Sequence, residues 1–169
     1  GGYADTEKLI RELLIAADPD AQLPSATDVA DETPEFGSTT PETYLAAGKV
    51  VNFGGDDDYR TGTNAYRFPS DLPKDSFALD GDWTIDFQGA TPGTDSAKVK
   101  LDFTATQEVR IVLSGEGTVT ATLDGKEIDP ITVSGTPDSY GVIEVDGETT
   151  GVIEITVPAG VTVHSFTFG

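Results

Sequence analysis

The amino-acid sequence predicts an all-β protein, an antiparallel β-sandwich preceded by one N-terminal helix. The main observation is an alternation of apolar and polar residues in short segments between residues 97 and 168, as in Val99, Leu101 and Phe103. A period of two puts these side chains on one face of a strand. Gly, Pro or Asp-Gly separates the segments, which is typical of turns between antiparallel strands. Because such a repeated apolar face must pack against a second one, we expect two sheets over a shared core.

Composition limits the classes of partner. The 169 residues are enough for one core, and 30 acidic against 10 basic residues give a net charge of -20. Nucleic acid and anionic membrane surfaces would repel this charge, and the basic residues lie singly along the chain. We therefore expect no nucleic-acid partner and no direct membrane contact. The absence of Cys excludes thiol chemistry within these residues, and no apolar run reaches the roughly 20 residues of a membrane-spanning helix.

The first predicted element is a helix over residues 1–17, which Asp5 or Thr6 could cap. Its apolar residues recur on one stripe: Leu9, Ile10, Leu13, Leu14 and Ala17. A lone helix of this length is marginal in water. We therefore expect the stripe to pack on the sandwich, on an upstream domain or on a second copy of the chain. The Gly-Gly start and the lack of Met suggest a piece of a longer protein.

An acidic, Pro-containing linker is predicted at residues 18–38, since charge repulsion and proline both favour an extended segment. The sandwich is expected at residues 39–169. Residues 39–42 fit a capping box and Gly48 fits a stop signal, so a short helix is predicted to introduce this second domain.

Two early strands are predicted at residues 50–53 and 64–68, on either side of a Gly- and Asp-rich turn at residues 54–58. In the last strand, Val161 and Val163 are apolar at odd positions, whereas Phe166 and Phe168 are apolar at even positions. This slip predicts either a β-bulge near His164 or a change of the exposed face.

Asp-Gly pairs predict turns with positive φ at three places: residues 80–81, 124–125 and 146–147. The first is expected to lead into a strand in which Trp83, Ile85 and Phe87 share one face. The other two are expected to be hairpin turns between strands.

Several short motifs carry a resemblance to a known family. Residues 2–14 resemble the last helix of a thioredoxin-like domain. Four further stretches are similar to the C-terminal region of DipZ-type actinobacterial proteins: residues 40–45, 52–53, 78–83 and 166–169. In that family a CcdA-like membrane domain is followed, outside the membrane, by a thioredoxin-like domain and then by a jelly-roll domain similar to carbohydrate-binding modules.

The resemblance implies a non-catalytic accessory module, a jelly roll behind an extracytoplasmic redox domain that is membrane-tethered in the intact protein. Residues 1–17 would then be a remnant of the upstream thioredoxin-like domain. Implied partners are that domain and a glycan or cell-wall polysaccharide. No residue corresponds to the family's Cys-x-x-Cys pair, so no redox activity is carried over, and no cofactor is expected. The alternative is a structural or protein-docking sandwich that positions the redox domain without binding glycan.

Candidate ligand contacts can be chosen by residue type. Aromatic rings stack on the apolar face of a sugar, while amide, carboxylate and Arg groups bind its hydroxyls. Seven residues of these types are the candidates: Tyr59, Arg60, Asn64, Tyr66, Arg67, Trp83 and Tyr140. Most of them surround the Gly- and Asp-rich loop, and binding residues often lie on loops. For Trp83, the alternation with Ile85 favours a place in the core instead.

Other chemistry has weaker support. His164 is the only histidine, and no nucleophile motif accompanies it, so we expect it to be structural or solvated. Asp56, Asp57 and Asp58 have the oxygen ligands that calcium prefers, but consecutive aspartates in an exposed turn do not all point inward. Thirty acidic residues also create accidental carboxylate pairs. We therefore expect neither a metal site nor catalysis.

Overall fold

The computed structural model describes residues 2–27, 37–93 and 95–169, and the chain divides into one compact unit within residues 1–34 and another within residues 35–169. In the first unit, helix α1 spans Tyr3–Ala17. In the second unit the described residues form nine strands: β1 (Thr43–Tyr44), β2 (Gly62–Tyr66), β3 (Phe77–Ile85), β4 (Ala90–Pro92), β5 (Ala97–Ala105), β6 (Glu108–Leu123), β7 (Lys126–Glu144), β8 (Thr149–Val157) and β9 (Val161–Phe168).

The strands form one continuous antiparallel sheet that closes on itself. Its order runs β9-β4-β3-β5-β8-β6, and β6 then pairs with β9 to complete a ring. β6 makes this closure because residues 109–115 pair with β9, whereas residues 120–123 pair with β8. Outside the ring, β1 adds to β9, β2 to β3 and β7 to β6.

Alternate residues of the ring strands fill a single core. In β5, Val99, Leu101 and Phe103 are fully buried, and the residues between them are only partly buried. The predicted all-β body with one N-terminal helix is confirmed. Because hydrogen bonding runs around the ring without a break, the finer division into the two layers of a jelly roll stays a prediction.

Strand β7 is an open edge of the sheet, and its pairing with β6 shifts register at three places. The shifts lie between Val109 and Arg110, between Leu113 and Gly115, and between Val119 and Ala121. Pro137 and Pro130 of β7 lie at the second and third of these shifts. Bulges and prolines at an edge reduce its ability to pair with another strand.

Helix α1 begins earlier than predicted. Gly2, with φ of 76°, is the N-cap, and no side chain caps the helix. Thr6 is already inside the helix and donates its hydroxyl hydrogen to the Gly2 carbonyl at 3.0 Å. Among the large apolar residues of the stripe, exposure ranges from 47% at Leu14 to 62% at Leu13. No helix in the described ranges has the length and apolarity needed to cross a bilayer.

The first part of the predicted linker bonds back to α1. The Arg11 guanidinium donates to the Pro24 carbonyl at 2.6 Å, and the Thr27 amide donates to the Glu7 carboxylate at 3.0 Å. The amide hydrogen bond from Thr27 lowers the pKa of Glu7. Residues 28–36 of the predicted linker lie outside the described ranges, and the predicted boundaries remain predictions.

The short helix predicted from the capping box is wrong. Thr43 and Tyr44 form β1 instead and pair with Phe166 and Ser165 of β9. Thr40, inside the predicted box, accepts the Thr104 amide with its hydroxyl oxygen at 2.7 Å. Tertiary pairing therefore outweighs a local helix signal.

Only one of the three Asp-Gly pairs is a hairpin turn. Asp124 and Gly125 have positive φ and join paired residues of β6 and β7. The pair at residues 80–81 lies inside β3, which changes its neighbour there from β5 to β2, with φ of 96° at Gly81. The pair at residues 146–147 joins β7 to β8, two strands that pair with other partners.

Two further strand predictions need correction. Residues 50–53 make only an isolated bridge, between Phe53 and Phe77, and the next strand is β2. Trp83 and Ile85 are buried as expected, but β3 ends at Ile85 and Phe87 is 78% exposed on the following turn. The bulge predicted at His164 is confirmed, because Val112 faces Ser165 while Leu113 faces Val163.

Candidate functional site

Two candidate tyrosines belong to an aromatic cluster of the second unit. Tyr59 lies 4.8 Å from Phe53 and 6.0 Å from Tyr66, measured between ring centroids. Tyr66 is only 2% exposed. The Tyr59 hydroxyl donates to the Leu45 carbonyl at 2.5 Å, and burial raises the pKa of Tyr59. These rings pack against protein and have little surface left for a sugar.

The remaining candidates are dispersed. Asn64 donates to the carbonyls of Arg60 and Gly62, both at 3.1 Å, and so holds the loop before β2. The exposed guanidinium of Arg60 lies 3.3 Å from Asp58. The Trp83 indole is fully buried and donates to the Asp80 carbonyl at 3.1 Å, so its burial corrects the candidate contact role.

Tyr140 lies on a different part of the sheet, the edge strand β7, where its hydroxyl accepts the Ser134 amide at 3.4 Å. Arg67 is exposed and follows β2, and its own amide donates to the Asp57 carboxylate at 3.1 Å. The seven candidates therefore do not form one site, although Arg67 and Tyr66 line a cavity described below.

His164 has two hydrogen-bond partners that the sequence did not indicate. Its Nε2 lies 2.7 Å from the Ser114 hydroxyl, and its Nδ1 lies 2.8 Å from the Gln88 carbonyl. A carbonyl only accepts, so Nδ1 carries a hydrogen, and in the neutral imidazole Nε2 then accepts from the Ser114 hydroxyl. Within the described ranges, no three Asp, Glu or His side chains converge as metal ligands.

A polar surface crosses the outer side of four ring strands. In one row, Asp80 of β3 faces Lys98 of β5, Lys98 faces Thr156 of β8, and Thr156 faces Thr120 of β6. The neighbouring row joins three residues in the same way: Lys100, Glu154 and Thr122. We call these seven residues the charged groove. Their side chains face outward because alternate residues such as Val99 and Ile155 point into the core.

Ion pairs fix the centre of the charged groove. Lys98 Nζ lies 2.7 Å from Glu154 Oε1, and Lys100 Nζ lies 3.4 Å from Glu154 Oε2. The hydrogen bond from Lys98 lowers the pKa of Glu154, and the same bond raises the pKa of Lys98. Lys100 also lies 4.2 Å from the Phe68 ring centroid. These charged side chains are therefore held in place before any ligand arrives.

Two cavities adjoin the charged groove. One of about 380 Å³ lies beside β6, β7 and β8, with the Lys98–Glu154 pair, three threonines and Glu127 in its lining. The other, about 390 Å³, is lined by Tyr66, Arg67, Asp80, Asp82, Asp95 and Ser96. Hydroxyl, carboxylate and cationic groups in such cavities can donate to and accept from a ligand with many hydroxyls.

The choice of candidates by residue type missed this groove, because that choice favours aromatic side chains. A usable signal was present in the polar residues of the alternating segments, such as Lys98 and Lys100 between buried neighbours. Their partners on β6 and β8 depend on strand order and register, which the alternation does not determine.

The Lys98–Glu154 pair makes stability depend on pH in a defined direction. Glu154 stabilises the fold above its unfolded pKa, and this is lost as pH falls through its lowered folded pKa. The contribution of Lys98 is lost at the other end, as pH rises through its raised folded pKa. Lys98→Met is therefore expected to reduce stability by up to about 1 kcal/mol at pH 7 and by less at pH 3.

Urea unfolding of the parent chain and of Lys98→Met, each at pH 7 and at pH 3, measures this difference. Lys126→Met, which removes an exposed lysine at the start of β7, is the matched control and is expected to show a smaller change between pH 7 and pH 3. Equal pH dependence of the two variants would contradict a specific role for the pair.

Comparison with known proteins gives one family match and two similar full-length proteins. Residues 40–169 match the family described as "Thioredoxin like C-terminal domain". Over 171 aligned residues the chain is 41% identical to Protein DipZ of Mycobacterium bovis and to Protein DipZ of Mycobacterium tuberculosis. These alignments cover 100% of this chain and 24% of each relative, so the chain spans about a quarter of their length.

Among solved structures, a family two carbohydrate esterase from Clostridium thermocellum in complex with cellohexaose is similar in part. The similarity covers 56% of this chain and 31% of the esterase chain, with 20% identity and a TM-score of 0.46.

Proposed function

The chain belongs to the family of thioredoxin-like C-terminal domains, as a DipZ-type C-terminal region, and from this we propose that it is an accessory module of a redox protein. In this proposal the intact protein is an extracytoplasmic, membrane-tethered thiol-disulfide oxidoreductase. The module itself is non-catalytic, because the 169 residues contain no Cys and thiol exchange must come from another part of the protein. A two-layered jelly roll like that of carbohydrate-binding modules is the architecture we propose.

The proposed ligand is a saccharide bound in the charged groove. The observation that carries this proposal is the pair of registered rows, which bring carboxylate, ammonium and hydroxyl groups together across four strands. Sugar hydroxyls both donate and accept, so they can use all three kinds of group. The ion pairs hold the charged groups in place, which reduces the ordering that binding would require.

The test is an NMR titration of the labelled chain with soluble oligosaccharides released from bacterial cell walls. Shift changes are expected at the amides of Lys98, Thr120 and Thr156. Thr120→Val with Thr156→Val removes two hydroxyls at nearly constant shape and is expected to weaken binding roughly tenfold, since each hydrogen bond contributes about 0.5–1.5 kcal/mol.

Thr132→Val is the control for this titration. Thr132 is exposed on β7 and does not line the cavity beside the groove, so its replacement is expected to leave binding unchanged. If no oligosaccharide shifts any groove amide, the saccharide proposal is rejected.

A second candidate function is protein docking, and the exposed apolar stripe of α1 favours it. Leu9, Ile10 and Leu13 are each more than half exposed. In this alternative the stripe binds the upstream thioredoxin-like domain or a second copy of the chain, and the module positions the redox domain. Binding of a separately produced upstream domain, together with no response to any oligosaccharide, would favour docking over saccharide binding.

A further inference from the structure

The hydrogen bond between Ser114 and His164 joins β6 to β9, the two strands that close the ring. Both residues are only partly buried, so the pair keeps contact with solvent. His164 is the extra residue of the β-bulge in β9. Ser114 faces Thr162, so His164 lies diagonally across the ladder from Ser114, within reach of a long side chain. The strand register therefore brings the only imidazole of the chain to a hydroxyl.

The hydrogen-bond partners of the imidazole set its proton positions. Nδ1 lies 2.8 Å from the Gln88 carbonyl oxygen, and Nε2 lies 2.7 Å from the Ser114 hydroxyl oxygen. In the neutral ring, Nδ1 donates to the carbonyl, and the Nε2 lone pair accepts the hydrogen of Ser114. A general base that activates a serine needs this tautomer, with a third group that orients the ring. Here the Gln88 carbonyl is the orienting group, and Ser114 is the nucleophile.

The turn that carries Gln88 is held in place, so its carbonyl stays beside His164. The Asp86 carboxylate accepts the amides of Gln88 and Gly89 at 2.7 and 3.0 Å. The ring approaches this turn closely, because a Cβ added to Gly89 would lie 3.2 Å from His164 Nδ1 and closer still to the Val163 carbonyl oxygen. Asp86 is therefore a positioning residue, since it fixes the turn that orients the imidazole.

We propose that Ser114 is a modification site that accepts an acyl group from an uncharged, activated ester. The Ser114 oxygen attacks the carbonyl carbon of the ester and forms a bond to it, and the bond from that carbon to the leaving alcohol breaks. The hydroxyl proton passes to His164 Nε2 and from there to the leaving oxygen. The products are acyl-Ser114 and the free alcohol, so the step needs no oxidant, reductant or cofactor.

The charge of the chain selects the class of acyl donor. A net charge of -20 repels anionic donors such as acyl phosphates, whereas it does not repel an uncharged ester. The step is one transfer to the protein and includes no turnover, so it is compatible with a non-catalytic module. It uses no residue of the charged groove and does not depend on saccharide binding.

The test treats the 169-residue chain with an alkyl fluorophosphonate, an uncharged reagent for activated serines. The Ser114 oxygen attacks phosphorus, an oxygen–phosphorus bond forms, fluoride leaves, and the hydroxyl proton passes through His164 to solvent. Mass spectrometry of the intact chain and of its peptides is expected to find one adduct, at Ser114. An uncharged aryl acetate is expected to give an acetyl ester at the same residue.

Variants of the base and of the positioning residue test the mechanism. His164→Gln is expected to slow labelling at least about tenfold, because glutamine can still donate to the Gln88 carbonyl but is not a base. Asp86→Ala is expected to slow labelling by a smaller factor. Asp86→Asn is expected to restore most of the rate, since its amide oxygen can still accept the turn amides. Circular dichroism checks that each variant folds.

Ser134→Ala is the matched control. Ser134 is exposed on β7 and donates to the Glu116 carboxylate at 3.2 Å, so its hydroxyl has an acceptor beside it that is not an imidazole. Its replacement is expected to leave labelling unchanged, whereas Ser114→Ala is expected to abolish it. Absence of an adduct at Ser114 in the parent chain, or equal labelling rates in the parent chain and His164→Gln, would overturn the inference. Labelling of Ser134 to the same extent as Ser114 would overturn it too.

Discussion

Replacing Trp83 with alanine is expected to lower the free energy of unfolding by about 3–5 kcal/mol, the range for truncating a fully buried large aromatic side chain. Trp83 is 0% exposed, and its indole nitrogen donates to the Asp80 carbonyl. The variant loses the buried ring and leaves a cavity that the surrounding strands cannot fill. Urea unfolding followed by circular dichroism measures the change. Since domains of this size are stable by about 5–15 kcal/mol, much of the total stability is at risk.

Phe87→Ala is the control for this substitution, because it removes an aromatic ring that is 78% exposed. Its expected effect is within about 0.5 kcal/mol. If Trp83→Ala unfolded at the same urea concentration as the parent chain and lost only ligand binding, Trp83 would be a contact residue and its place in the core would carry little stability.

Replacing Gly115 with alanine is expected to destabilise the chain by at least about 3 kcal/mol, because backbone strain and overlap add together. Gly115 has φ of 102°, and an added Cβ would lie 2.0 Å from the Gly160 carbonyl oxygen. The contacted atom is backbone and has no rotamer by which to move away. Gly115 also ends the part of β6 that pairs with β9, so the substitution acts where the ring closes. Thermal and urea unfolding measure the loss.

Gly135→Ala isolates the contribution of backbone conformation alone. Gly135 faces Gly115 on β7 and has φ of 90°, but an added Cβ there would have nothing within 4 Å. Its expected cost is about 1–2 kcal/mol, the cost of a left-handed conformation for a residue with a side chain. Equal losses in the two variants would show that the approach of Gly160 is unimportant.

The alternating segments allowed much of the fold to be predicted, and each wrong prediction has a specific structural cause. Strands such as β5 follow their apolar pattern because that face fills the core. The helix predicted from the capping box at residues 39–42 does not form, because β1 pairs with β9 instead. The prediction that Phe87 shares a strand face with Ile85 was wrong because the Asp86 carboxylate accepts two turn amides. The strand therefore ends at Ile85. In both cases specific hydrogen bonds outweighed the signal in the local sequence.

The candidate site was less predictable than the fold. Choosing residues by type selected Tyr66 and Trp83, but both of these large aromatic side chains are buried in the core. The charged groove consists of small or charged residues from distant parts of the chain, such as Asp80 and Thr156. Their proximity follows from strand order and register, and neither can be read from one segment at a time.

The interrupted edge of β7 affects how this chain behaves at high concentration. Free backbone groups at a sheet edge can template the addition of further chains, and this is one route to fibrils. Pro130 and Pro137 each lack an amide hydrogen, and the bulges beside them bend the strand out of register. An incoming strand would find a short uninterrupted ladder between the two prolines, and a further register shift between Gly141 and Ile143 interrupts the strand after Pro137. The folded chain is thereby protected against polymerising through its longest open edge.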